Sequence, residues 1–397
     1  MRLPDVFVGV ESKVPAALAQ RLGQIALIDH HVHGVFAQPI DRPGFEAAIN
    51  EASTDAIPSF MSQFDSPLGL SIRRWCAPLL GLDPSASADD YWARRSEFTP
   101  DELARIMLPA AGVTRWIVDT GFKGDLITTL DQLAELSGNT CSEILRLERL
   151  SEDLLEHGTT PEDFPDALRA AMRAASDSPN VLGTKTIAAY RTGFDIAWAK
   201  PTDAVVVASA RELGDRARPL RLDSPVLTAF AVHEAAEHGL PIQVHVGFGD
   251  RELDLHRTDP MLLLPLLRMM PPAPVLLLHC YPFHRQAGYL AQAFDHVNFD
   301  VGLAINYLGA QSTRLVAEAL EMAPFAKQLY SSDGFGPPEL HVLGSVLWRR
   351  AMGLVLGGWV RAGDCSDDDA VRIVDMIGAG NAERVYGLTS GRSDFCP

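Results

Sequence analysis

Ile28-Asp29-His30-His31-Val32-His33-Gly34 closes the first short apolar run of the chain. Side chains two apart on a strand project to the same side, so His31 and His33 can share one cation. Asp29 has the same parity and is expected beneath them as an acceptor, with His30 facing the other way. Taken alone, a His-x-His at a strand end reads equally well as ordinary polar packing. Three other runs change that reading: His245 closes Ile242-Gln243-Val244-His245, His279 closes Val275-Leu276-Leu277-Leu278-His279, and Asp333 follows Leu329-Tyr330-Ser331-Ser332. Imidazoles and carboxylates are costly to leave unpaired at the ends of buried strands, and convergence on a cation satisfies them together.

The apolar runs also set the fold. They lie at Ala26–His31, Thr114–Thr120, Ser142–Leu147, Val181–Ile187, Pro241–Val246, Pro274–His279, Val297–Val301 and Gln328–Ser332, with helical spacing between them. Near-continuous apolar strands alternating with helices mean a parallel sheet covered on both faces, and the α/β fold expected is a distorted (β/α)8 TIM barrel. Ser224-Pro225 opens one helix that ends near Gly239, and Asp259-Pro260 opens another that Pro265 should kink or split. Residues 35–112, between the first two strands, are too many for one barrel helix and predict an inserted, mainly helical cap over the site, with amphipathic pieces at Ser71–Leu80 and Thr99–Ala111. The expected organisation is a 1–23 extension, a 24–390 barrel and a 391–397 tail.

Composition narrows the function. The chain has 397 residues, 47% of them hydrophobic, and a formal charge of −17, which disfavours nucleic acid as a partner. Cys76, Cys141, Cys280, Cys365 and Cys396 form no close Cys-x-x-Cys pair, so neither a disulfide framework nor a zinc knuckle is expected, and a reducing cytoplasm fits. No stretch reads as a signal peptide or a membrane span, and the expectation is a soluble protein.

The ordered set His-x-His, His, His, Asp resembles the amidohydrolase superfamily. Lys185-Thr186-Ile187-Ala188-Ala189-Tyr190-Arg191-Thr192-Gly193, His245-Val246-Gly247-Phe248-Gly249-Asp250, His279-Cys280-Tyr281-Pro282-Phe283-His284-Arg285 and Ser332-Asp333-Gly334 are similar to one branch of it. That branch is the domain found fused to glutamine-synthetase-like domains in some fungal and plant proteins, and standing alone in bacteria. Gly380-Asn381-Ala382-Glu383-Arg384-Val385-Tyr386-Gly387-Leu388 resembles the ending typical of the wider amidohydrolase-2 group. The likeness spans about residues 24–390 apart from much of the insertion, and no glutamine-synthetase-like domain is expected in the chain.

The resemblance implies that His31, His33, His245 and Asp333 hold a divalent ion, zinc by preference, with manganese or iron compatible. His279 either binds a second ion or polarises the substrate carbonyl. Asp333 serves as general acid and base toward a metal-activated water. Lys185 has two readings: carboxylated by carbon dioxide as a bridge between two ions, or a free amine that meets a substrate carboxylate or a neighbouring acid. Arg191 is placed for a substrate carboxylate or for a salt bridge within the barrel, and Glu148 for lining the pocket. The implied partner is a small carboxylate-bearing substrate, with γ-glutamyl amides the class suggested by the fused relatives, in a homo-oligomeric barrel. The alternatives are a decarboxylase, a sugar-acid isomerase, or a barrel without catalysis.

Overall fold

The computed structural model describes residues 3–53 and 55–388; the expected 391–397 tail and Cys396 lie outside them. Seven parallel strands follow one another in sequence order around one sheet: β1 (Leu27–Val32), β2 (Val113–Asp119), β3 (Thr140–Arg146), β4 (Val181–Thr186), β5 (Ile242–Val246), β6 (Val275–His279) and β7 (Val297–Phe299). Helices connect successive strands, as parallel neighbours require, and the sheet curls into the barrel class expected.

The eighth run is a correction. Gln328–Ser332 forms no ladder strand; Gln328 makes one isolated parallel bridge to Phe299. The segment nevertheless spans the two edges of the sheet, because Leu329 N donates to Phe299 O (3.1 Å), His30 N to Tyr330 O (3.2 Å) and Asp333 N to His31 O (3.2 Å). A side chain explains the broken ladder. The Asp29 carboxylate accepts from Ser332 N (3.0 Å) and Ser332 Oγ (2.5 Å), taking an N–H that a ladder would use. Asp333 then follows with φ 49°, outside the extended region.

Two buried clusters sandwich the strands. The larger lies between strands and helices. The smaller joins Ile28, Ile117, Ile144, Leu276, Leu278 and Leu329 to Ala382 and Tyr386 of the C-terminal segment, which therefore reaches the inner side of the sheet.

Local rules account for the helices. Ser224 Oγ accepts from Leu227 N, Pro225 opens the helix Pro225–Glu237, and Gly239 follows at φ 70°. Beyond Asp259 the chain makes a 3-10 turn, Pro260–Leu263, before the short helix Leu264–Met269, so the helix is split where Pro265 stands. Between β1 and β2 lie the helices Arg42–Ala48, Pro67–Trp75, Ala88–Arg95 and Pro100–Met107, each opened by a side-chain cap from Asp41, Ser66, Ser87 or Thr99. Glu339, at the start of the long helix Pro338–Ala362, ties this region down by accepting from Arg95 Nε (2.6 Å) and Tyr91 Oη (2.8 Å). Among the described residues no helix is long and apolar enough to cross a membrane, and the four described cysteines are free.

Candidate metal centre

β1, β6 and the segment after Leu329 bring His31, His279 and Asp333 together, with one ligand-type atom from each lying within 4.8 Å of the others. His31 Nε2 is 3.1 Å and His33 Nε2 3.6 Å from Asp333 Oδ1, and His279 Nδ1 is 3.6 Å from Asp333 Oδ2. His245 stands one ring further out, its centroid 4.6 Å from that of His279. A second grouping within the same limit joins His31 and His33 to Asp119.

These residues fit a divalent ion. His245 Nε2, both ring nitrogens of His279 and Asp333 Oδ1 are buried without a hydrogen-bond partner, and leaving such atoms unpaired is costly unless something binds their lone pairs. Burial drives His31, His245 and His279 well below the usual imidazole range and His33 to about 3, so all four rings are neutral, as ligation requires. The backbone is strained at the same place. Among the described residues four non-glycine residues have positive φ: His279 (68°), Cys280 (53°) and Asp333 (49°) here, and Lys123 (48°) beside Phe122.

Burial pushes Asp333 up to about 6, against the opposing pull of His33 and Lys185. Its carboxyl is therefore poised to exchange a proton near neutrality. Gly334 lets the chain pass the His341 ring, since a Cβ there would lie 2.7 Å from His341 Cγ.

The remaining sequence-derived residues divide. Lys185 enters the centre: Nζ is 2.9 Å from His31 Nε2 and 3.3 Å from Asp119 Oδ2. Arg191 stands 3.4 Å from Glu152 Oε1, the salt-bridge reading, although its Nε and Nη1 are buried without a hydrogen-bond partner. Glu148 secures the end of β4, with Oε1 accepting from Thr186 Oγ1 (2.6 Å) and Ile187 N (3.0 Å). Asp29 binds Ser332 rather than an imidazole of the cluster. His30 does not face away: its Nε2 is 2.9 Å from Asp300 and its Nδ1 3.2 Å from the Tyr386 hydroxyl. The parity argument fails because β1 carries register shifts against β2, one of them between Asp29 and Val32.

Sequence reasoning missed Asp119, Arg146 and Gln243. Asp119 is fully buried and bound by Arg146 through Nη2 (2.5 Å) and Nε (3.1 Å). Burial opposes its charge, but Arg146 and Lys185 more than offset this and hold it well below the carboxylate range. It ends β2 as His279 ends β6, and that signal could have found it. Residue 51 of the insertion also belongs near the site. Burial first, then the charges of Asp333 and Asp250, push Glu51 up to about 8, and next to it Ala52 O accepts from Arg251 N (3.1 Å) in the loop after β5.

A pH prediction follows for the metal-free protein. The four neutral histidines, with His341 at about 4, protonate freely only on unfolding. Groups whose folded pKa is depressed keep their stability above the unfolded value, about 6.5, and lose it as pH falls toward the folded value. Each buried ring then costs about 1.4 kcal/mol per pH unit. Asp29 and Glu51, raised to about 8, and Asp333, raised to about 6, bind protons in the folded state and oppose this trend, so denaturant melts at pH 7 and pH 5 should show a net fall smaller than the rings alone would give, and His245→Asn should make the slope shallower. A flat profile would contradict this electrostatic account.

A curled sheet of parallel strands, with histidines and carboxylates gathered at its C-terminal strand ends, defines a metal-dependent α/β-barrel enzyme. The sequence profile of the amidohydrolase family (Amidohydro_2) matches residues 152–388, and the chain belongs to that family. Protein FluG of Emericella nidulans is 26% identical over 405 residues, covering 91% of this chain and 46% of FluG, so the chain spans about half the length of that relative. A Lactobacillus casei protein described as a metal-dependent hydrolase has the same fold, with a TM-score of 0.76 at 24% identity over 94% of this chain and 97% of that one. Uronate isomerase from Thermotoga maritima shares it more distantly, with a TM-score of 0.61 at 12% identity over 96% and 99%.

Proposed function

We propose that the protein hydrolyses the C–N bond of a small carboxylate-bearing amide, with γ-glutamyl amides as the first class to assay. The observation that carries this reading is Asp333, a buried carboxyl raised to about 6 and within 3.6 Å of three imidazoles. A divalent ion held by His31, His33, His245 and Asp333, with His279 beside it, would lower the pKa of water to about 7 and polarise the carbonyl. Zinc suits this nitrogen-rich set, and manganese or iron is compatible. Asp333 accepts a proton from the attacking water and returns it to the leaving nitrogen, so that the C–N bond breaks to give a carboxylate and an amine. His279, neutral and with both ring nitrogens lacking a hydrogen-bond partner, would bind the carbonyl oxygen or a second ion. Carboxylated Lys185 would supply an oxygen ligand for two ions; as a free amine it pairs with Asp119. Intact-mass measurement for added carbon dioxide separates these two states.

Glu51 supports a covering role for the insertion. Arg191 Nε, buried without a hydrogen-bond partner, supports a role toward a substrate carboxylate while Nη1 faces Glu152, and Glu148 Oε2, an unpartnered acceptor, supports lining the pocket against a donor group of the substrate. Arg191→Met is expected to raise KM by about 10-fold or more, the loss of a charged hydrogen bond, with little change in kcat. An unchanged KM would leave Arg191 with its salt bridge alone. The cytoplasmic, homo-oligomeric working form is part of the proposal and is checked by sedimentation.

The second reading is a sugar-acid isomerase or decarboxylase, favoured by the shared fold with uronate isomerase. A panel of γ-glutamyl amides, uronates and aromatic acids decides between them. Amine release supports hydrolysis; interconversion of uronates or release of carbon dioxide replaces it.

A further inference from the structure

The stretch Gly380–Leu388 supplies no ligand to the metal centre, yet it is bound from both sides into the region beneath it. Asn381 Nδ2 donates to Phe325 O (2.8 Å) and Gln328 O (2.7 Å), and Arg384 Nη2 to Ala326 O (2.6 Å), which staples the stretch to the chain entering the 328–334 segment. Tyr386 lies among Ile28, Ile117, Ile144, Leu276 and Leu278 on the inner side of the sheet. We propose that this stretch is a positioning device for the metal centre, in which Tyr386 holds Gln243 and Gln243 holds the tautomer and tilt of His31.

The hydrogen-bond accounting leaves one arrangement. Gln243 Nε2 is 2.7 Å from His30 O and 2.9 Å from the Tyr386 hydroxyl, so both amide hydrogens are used. Its oxygen then faces His31 Nδ1 at 2.8 Å and must accept from it. A flipped amide would set its oxygen against the His30 carbonyl. His31 therefore carries its hydrogen on Nδ1 and turns its Nε2 lone pair toward the cluster, where Lys185 Nζ meets it at 2.9 Å.

The chain continues in the same direction. Having accepted from Gln243, the Tyr386 hydroxyl donates to His30 Nδ1 (3.2 Å), and His30 Nε2–H donates to Asp300 Oδ2 (2.9 Å). Asp300 Oδ1 accepts from His279 N (2.9 Å) and Gly302 N (2.8 Å). One run of donors and acceptors, with no conflict along it, thus joins the ring of His31 to the strained backbone of His279. All its side chains are buried, where a broken link cannot be replaced cheaply by water.

The inference rests on the metal-centre reading, and cobalt(II) titration of the purified full chain separates the two. Affinity is read by chelator competition and ligand geometry by d–d absorption. Tyr386→Phe keeps the ring and removes the hydroxyl, and affinity is expected to fall by about 10-fold with an altered spectrum. Gln243→Leu should weaken binding at least as much. Gln243→Glu, which keeps an acceptor for His31 and, protonated in this buried place, a donor for the His30 carbonyl, should recover part of that loss, and this pair tests the idea even if Tyr386→Phe does not fold. Arg384→Met removes one of the three staple hydrogen bonds and leaves the Tyr386–Gln243–His31 links in place, so it should lower cobalt affinity less than Tyr386→Phe does. Wild-type affinity and spectrum in Tyr386→Phe, equal affinity in Gln243→Glu and Gln243→Leu, or an equal loss in Arg384→Met would overturn the proposal. If the wild-type chain binds no cobalt, the metal-centre reading fails and takes this inference with it.

Discussion

Asp333→Asn should lower kcat by about 10²- to 10⁴-fold, the range over which a positioned acid–base group contributes. The substitution keeps size and one ligand-type oxygen but removes the group that can take up and return a proton. Asp333 is raised to about 6 by burial, and an ion beside it would draw that value down, so the loaded wild-type enzyme should lose activity as pH falls below neutrality. The variant should lack that acidic limb. Steady-state kinetics on the amide found by the substrate panel measure both effects, together with the metal content of the variant. A variant that keeps its metal and near wild-type kcat would remove Asp333 from the proton path.

Glu339→Leu is the largest expected loss of stability away from the centre. Glu339 is completely buried and accepts from both Arg95 and Tyr91. Removing it strands the Arg95 guanidinium, itself 6% exposed, and breaking one side of a buried pair costs about 3–5 kcal/mol. The double substitution Arg95→Leu with Glu339→Leu should recover much of this, because no buried charge is then left alone. Urea unfolding of the metal-free chain checks the series. A loss under about 1 kcal/mol, the size of a surface pair, would mean that the insertion is not anchored here.

The strands, and the histidines and Asp333 that the structure gathers together, were legible because their signals are local. An apolar run closed by His or Asp marks a strand and aims a polar group at its C-terminal end, and seven of the eight runs became strands. The eighth failed for a reason no pattern contains: the Asp29 carboxylate reaches Ser332, 303 residues away in sequence, and takes its N–H. Parity misassigned His30 because β1 is irregular against β2. Asp119 was readable at the end of β2. Gln243 and Asp300, polar residues inside apolar strand sequences, became meaningful only when Tyr386 was seen between them. Arg191 shows the limit of residue type as evidence, since an arginine near a strand end serves a substrate or an internal acid equally well.

The most direct test of the account is elemental analysis of the purified chain, with and without His31 and His33. At least one equivalent of a divalent transition metal per chain should copurify with the wild type or bind on addition, and the folded double variant His31→Asn with His33→Asn should hold none. A wild-type chain that takes up no metal, or a double variant that binds it as fully, would contradict the metal centre on which the proposed chemistry depends.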